Sequence, residues 1–135
     1  MKKARHFAEE LIALGERSSD ADLLLEALHC RWSTASFRGD VPVALHDAQE
    51  GIKRYDPSKH SWMAAVFGGH DPGVCAHQVR AIYVCQTGLF QEAHKSSADA
   101  LSLAERLNHP HSLAHARLGA TTVCFLSRDY EPLGL

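Results

Sequence analysis

Apolar residues recur along this chain at intervals of three and four, and strict alternation is absent throughout, so the pattern predicts helices and no strands. From Lys3 to Arg17 the positions Phe7, Leu11 and Leu14 mark the apolar face of a first helix, with Ala8 and Ile12 beside them and Glu9, Glu10 and Glu16 elsewhere. SSDAD at Ser18 to Asp22 offers N-cap candidates for a second helix over Leu23 to Phe37, which Gly39 stops as a C′ glycine. Asp40 is placed to cap a third helix, with Val41 and Pro42 in its first turn. That helix should end near Tyr55, because Pro57 disfavours helical geometry at Asp56.

The stretch SKHSWMAAVFGGHDPG is the least regular part, a short apolar run from Trp62 to Phe67 followed by the pair Gly68 and Gly69. Helix resumes at Asp71 and Pro72, an N-cap with proline at the first helical position, and runs from Val74 to Gln86 until Gly88. Phe90 to Leu107 and His111 to Leu126 complete the set. Three turns of one kind punctuate these helices: FRGDVPVA at Phe37 to Ala44, QTGLFQEA at Gln86 to Ala93, and LSRDYEP at Leu126 to Pro132. The chain also resembles itself. Leu11 to Cys30 aligns with Leu101 to Gly119 around Glu16–Arg17 and Glu105–Arg106, and the register holds to FRGD against LSRD. Self-similarity over this distance marks an array of hairpins, each needing its neighbour to cover an apolar face.

Composition narrows the classes. At 135 residues, 45% apolar and 22% charged, the chain can bury a core without staples. A net charge of −2 and scattered Lys and Arg supply no stripe able to neutralise several phosphates, so nucleic acid is not the expected partner. Cys30, Cys75, Cys85 and Cys124 show no CxxC spacing and lie in apolar helical contexts, which suits reduced thiols in a cytoplasmic protein. No leader opens the chain and no apolar run approaches the roughly 20 residues of a membrane span.

GDVPVA and GLFQEA place Gly39 and Ala44, and Gly88 and Ala93, at the same separation. This resembles the turn of a tetratricopeptide repeat, where glycine closes the first helix and alanine admits the second. At the signature positions of the first helix stand Leu28 and Trp32, then His77 and Ala81, while Arg31 and Arg80 occupy a place where leucine is usual. The spacing from Gly39 to Gly88 exceeds the period of about 34 residues, with Ser58 to Gly73 as the insertion. A wider resemblance runs through LLLEALHCRW, GDVPVALHDAQEGIKRYDPSKH, FGGHDPGV and ALSLAERLNHPHSLAHA. These segments are similar to the degenerate tetratricopeptide-like region of large bacterial signalling proteins that carry an adenylate or guanylate cyclase or regulatory domain and an AAA-type ATPase. The resemblance implies an interaction or regulatory region. No cyclase or ATPase motif occurs in this chain, so neither activity carries over.

Ten histidines raise the question of a metal, and the tightest groups are His70, Cys75 and His77, then His109, His111 and His115. His111 and His115 stand one helical turn apart, but sequence fixes no third ligand, and the expectation is no metal and no cofactor. GGHDPG could cradle an anion on backbone amides. Asp71, already an acceptor for those amides, favours instead a tight turn that sets the angle of the next hairpin. Cys75 with His77 and Asp71 superficially forms a nucleophile, base and acid, yet no oxyanion site accompanies them, so no catalytic residue and no enzyme activity is expected.

The surface expected to bind a partner is a stripe on the first helix of each hairpin. Glu26, His29, Ser33 and Ser36 form a polar line on one face of the second helix. Equivalent offsets give Cys75, Gln78, Ile82 and Cys85, then His115, Leu118, Thr122 and Phe125; this line is either solvent-facing or a peptide groove. Glu26, His29, Ser33, Ser36, Gln78 and His115 are the partner-binding candidates, and Gly69, His70 and Asp71 the loop candidates. The first helix lacks a preceding partner and the third hairpin stops at Leu135, so two open apolar faces, one near Tyr130, are expected to drive self-association unless the chain is cut from a longer one.

The expected protein is therefore all-α: antiparallel hairpins stacked as a short tetratricopeptide-like right-handed solenoid, one domain over 1–135, a fragment or truncated array. Its expected function is protein–protein interaction or regulatory scaffolding in bacterial signal transduction, with a protein or peptide partner and no membrane. The alternative is a small-molecule or metal sensor built on FGGHDPGV and the histidines around it. A third reading is a truncated frame that folds but has lost its function.

Overall fold

A computed structural model describes residues 2–131, so Pro132 of the third turn lies outside the described residues. Six helices of 14 to 18 residues dominate: α1 (Lys2–Ser18), α2 (Ala21–Arg38), α3 (Val41–Arg54), α6 (Pro72–Gln86), α7 (Phe90–Leu107) and α8 (Pro110–Ser127). Two single turns, α4 (Pro57–His60) and α5 (Met63–Val66), fall inside the irregular stretch. The protein is all-α, its helices packed as antiparallel neighbours. α2 touches α1, α3 and α6, and α6 touches α2, α3, α7 and α8, so α3 lies across α2 and α6 while α7 lies across α6 and α8.

The turns have the geometry that their sequences require. Gly39 (φ +72°) and Gly88 (φ +86°) are left-handed, a conformation that costs glycine little. Ala44 and Ala93 beyond them are completely buried, because a methyl group is all that fits between the paired helices. The internal repeat is visible in the backbone. Ser19 and Asn108 are both left-handed, Asp20 and His109 are both N-caps, and Gly39 and Arg128 both end their helices left-handed. The closing bonds match as well: Asp40 N donates to Ala35 O at 2.9 Å, and Asp129 N to Cys124 O at 3.1 Å.

Two expectations need correction. α1 forms, but its buried face is Ala8, Ile12 and Gly15, while Phe7 and Leu14 are exposed. Gly15 is the reason: a Cβ there would stand 3.0 Å from the Leu24 backbone, so α1 turns its smallest side towards α2. Asp40 precedes α3 without a side-chain capping bond. Its amide is committed to closing α2, and its ψ of 71° is not the extended geometry that aims a capping carboxylate at the next amides.

The core is largest around Trp32, which is fully buried among Ile12, Leu28, Ala48 and Ala76. Gly51 lies against the Trp32 ring so closely that any Cβ would collide with it. Below this layer Asp47, also fully buried, accepts two hydrogen bonds from Arg31, at 2.6 and 2.8 Å. Arg31 is thus the partner of a buried carboxylate, held in the two-pronged geometry that guanidinium favours.

A candidate histidine and cysteine centre

Tyr55, Asp71 and Ser112 fix the insertion in place. Asp71 caps α6 by accepting from Val74 N at 3.0 Å, and its other oxygen accepts from the Tyr55 hydroxyl at 2.6 Å. Asp71 N donates to Ser112 Oγ at 2.8 Å, and Ser112 in turn donates to His109 Nδ1, the cap of α8, at 2.8 Å. The N-termini of α6 and α8 are thereby tied together. Gly73 completes the join, since a Cβ there would come within 2.6 Å of the Tyr55 ring. Burial holds the Asp71 carboxyl above its ordinary value despite the bonds from Tyr55 and two backbone amides; burial and Asp71 together raise Tyr55.

With the loop anchored, Gly68 (φ +63°) and Gly69 (φ +73°) carry His70 across the faces of α2 and α8. His70 Nε2 lies 3.3 Å from His29 Nε2 on α2. Its ring stacks on that of His115 on α8, with centroids 4.1 Å apart and planes at 16°. His111, exposed, is next, with its centroid 6.1 Å from that of His70. Cys75, on the first turns of α6, completes the cluster: the donor atoms of His29, His70 and Cys75 all lie within 4.8 Å of one another.

Each of these groups has its own support. Glu26 Oε2 accepts from His29 Nδ1 at 3.2 Å, which orients the ring and leaves Nε2 facing His70. Trp32 Nε1 donates to Cys75 Sγ at 3.4 Å. Burial pushes the Cys75 thiol up, but His115 and His29 beside it outweigh burial and bring it down to about 6. Burial likewise lowers His29, and Cys75 and Glu26 outweigh it in the other direction, to about 10. The two therefore favour a thiolate–imidazolium pair. Burial and then the neighbouring His29 charge lower His70.

The residues singled out from sequence are only partly brought together. Glu26, His29 and Gln78 are buried, at 9%, 5% and 7% exposure, so this part of the stripe faces neighbouring helices and not open solvent. Ser33 and Ser36 are half-buried; Ser36 Oγ bonds back to Trp32 O and takes no part in the cluster. Gln78 lies against Gly119 of α8. His115 and His70 join the centre, while Asp71 anchors the loop from its other side and Gly69 packs beside His111. Of the group His70, Cys75 and His77, the first two meet and His77 does not, because positions two apart on a helix, 75 and 77, point to nearly opposite sides. His77 faces a groove towards Asp99 and Arg80 instead. His109 is an N-cap and belongs to no donor set.

Sequence reasoning missed the convergence of His29 with His70. One signal was available: Glu26, Cys75 and His115 occupy equivalent positions on α2, α6 and α8, and all three stand at this centre. No family model, curated protein or solved structure matches the chain. Among the described residues no helix is long and apolar enough to cross a membrane.

Proposed function

We propose that this chain is a non-catalytic interaction and regulatory scaffold of the tetratricopeptide type, its hairpins stacked as a short right-handed solenoid. One observation carries the reading: α2, α6 and α8 follow one another in contact, with α3 and α7 laid across the joints, and the backbone repeats its caps and turns from hairpin to hairpin. Arrays of this kind present side chains of successive helices to a partner, and each end leaves an apolar face. Phe7 and Leu14 on α1, and Leu118 and Phe125 on α8, are the exposed apolar residues such faces would supply, at 63%, 45%, 63% and 68%. They fit a protein or peptide partner, or a second copy of the chain, in a cytoplasmic setting. The resemblance to bacterial cyclase and ATPase regulators points to signal transduction.

Light scattering across a concentration series tests this reading. Concentration-dependent self-association that Leu118→Asp with Phe125→Asp reverses, helical circular dichroism being retained, supports it. A strict monomer at high concentration contradicts it.

A second reading, a sensing module built on the FGGHDPGV loop, is favoured by the placement of His70 against His29 and Cys75. In that reading a small ligand fixes the insertion, whose Trp62 and Phe67 are partly exposed, and so changes what the scaffold presents.

A further inference from the structure

We infer that His29, His70 and Cys75 form a binding site for one divalent transition-metal ion of the zinc class. The inference rests on the sensing reading and gives its ligand a chemical class. Zinc is held by imidazole nitrogen at about 2.0–2.1 Å and by thiolate at about 2.3 Å, so two nitrogens sharing a tetrahedral ion stand roughly 3.3 Å apart. His29 Nε2 and His70 Nε2 have that separation. Without a metal, two imidazole lone pairs can meet at this distance only with a proton between them. Cys75 Sγ lies within 4.8 Å of both, so metal binding requires small side-chain rotations that bring the sulfur and the two nitrogens together.

The surrounding groups are those that a metal site needs. A ligating histidine characteristically donates its other ring nitrogen to a carboxylate or carbonyl, and the His29–Glu26 bond does this. The Trp32 indole N–H on Cys75 Sγ steadies a thiolate in the same way. His115 offers a fourth donor: its Nε2 is buried and has no hydrogen-bond partner, although its ring must turn out of the stack with His70 to join. The donor set, imidazole and thiolate without ligating carboxylate, selects zinc-like ions over magnesium or calcium. Access runs past half-buried His70 and exposed His111.

The test is titration of the chelator-treated full chain with Co2+ and then Zn2+. One equivalent of Co2+ should give the intense visible bands of a tetrahedral site and a sulfur-to-cobalt charge-transfer band, both displaced by Zn2+. His70→Ala, in the loop and outside the core, should abolish stoichiometric binding, and Cys75→Ser should remove the charge-transfer band. Glu26→Gln should weaken binding about 10–100-fold, as loss of a supporting carboxylate does, and Cys124→Ser, nine residues beyond His115 on α8, should leave it unchanged. Absence of saturable binding by the folded chain, or binding indifferent to His70→Ala, overturns the site. Amide exchange across the insertion is followed in the same samples. Metal binding without slowed exchange there supports the site and contradicts the sensing reading, so the two fail separately.

Discussion

The Nε2 atoms of His29 and His70 stand 3.3 Å apart, although 41 residues separate them in the chain. The contact requires three things at once: α2 packed on α6, a glycine pair able to turn left-handed, and a loop pinned at Asp71.

Gly73 has no room for a methyl group beside the Tyr55 ring. Gly73→Ala should destabilise the fold by about 1–3 kcal/mol, the usual cost of overpacking, and chemical denaturation measures it. An unchanged denaturation midpoint would mean that Tyr55 does not pack there.

Asp71 gives a pH dependence. Its folded pKa is raised above the unfolded value of 3.8, chiefly by burial. Its contribution to stability is therefore fully present below the unfolded pKa and falls as pH rises through the folded one. Asp71→Asn removes that titration. The stability of the variant relative to the parent should increase from the acidic range towards neutrality, as read by denaturation at a series of pH values. A difference that stays constant with pH would show that Asp71 is not perturbed.

Arg31 is the main partner of the fully buried Asp47. Arg31→Met keeps an unbranched apolar stem but strips the carboxylate of that partner, and should cost about 3 kcal/mol, as breaking a buried pair does. Thermal and denaturant unfolding report it. The double variant Arg31→Met with Asp47→Leu should recover much of the loss; if the single variant is as stable as the parent, the pair is not a structural requirement.

Cys30 should be inert at neutral pH. Burial first, and then Glu26 beside it, push its thiol up to about 11, so little nucleophilic thiolate is present. Iodoacetamide labelling of the folded chain followed by mass spectrometry should leave Cys30 largely unmodified. Labelling at the rate of a free cysteine would contradict this environment.

Much of the framework could be read from sequence because its signals are local. Gly39, Gly88 and Pro72 act through their own backbone geometry, and they sit at the helix ends that they predict. The buried face of α1 was less legible, since it depends on Gly15 meeting Leu24, a contact between helices that periodicity alone does not encode. The centre was legible in halves. Alignment of the hairpins placed Glu26, Cys75 and His115 at equivalent positions, and the loop singled out His70. What joins them is the path of the insertion, set by Asp71 bonding Tyr55 16 residues before it and Ser112 41 residues after it. No local rule contains those bonds, so neighbours in sequence such as His77 were grouped with His70 in place of His29.

The most direct measurement is X-ray absorption at the zinc edge on the full chain loaded with one equivalent of Zn2+. The account predicts one sulfur ligand at about 2.3 Å and at least two nitrogen ligands at about 2.0–2.1 Å, with imidazole multiple scattering. A shell made only of oxygen and nitrogen, without sulfur, would contradict it.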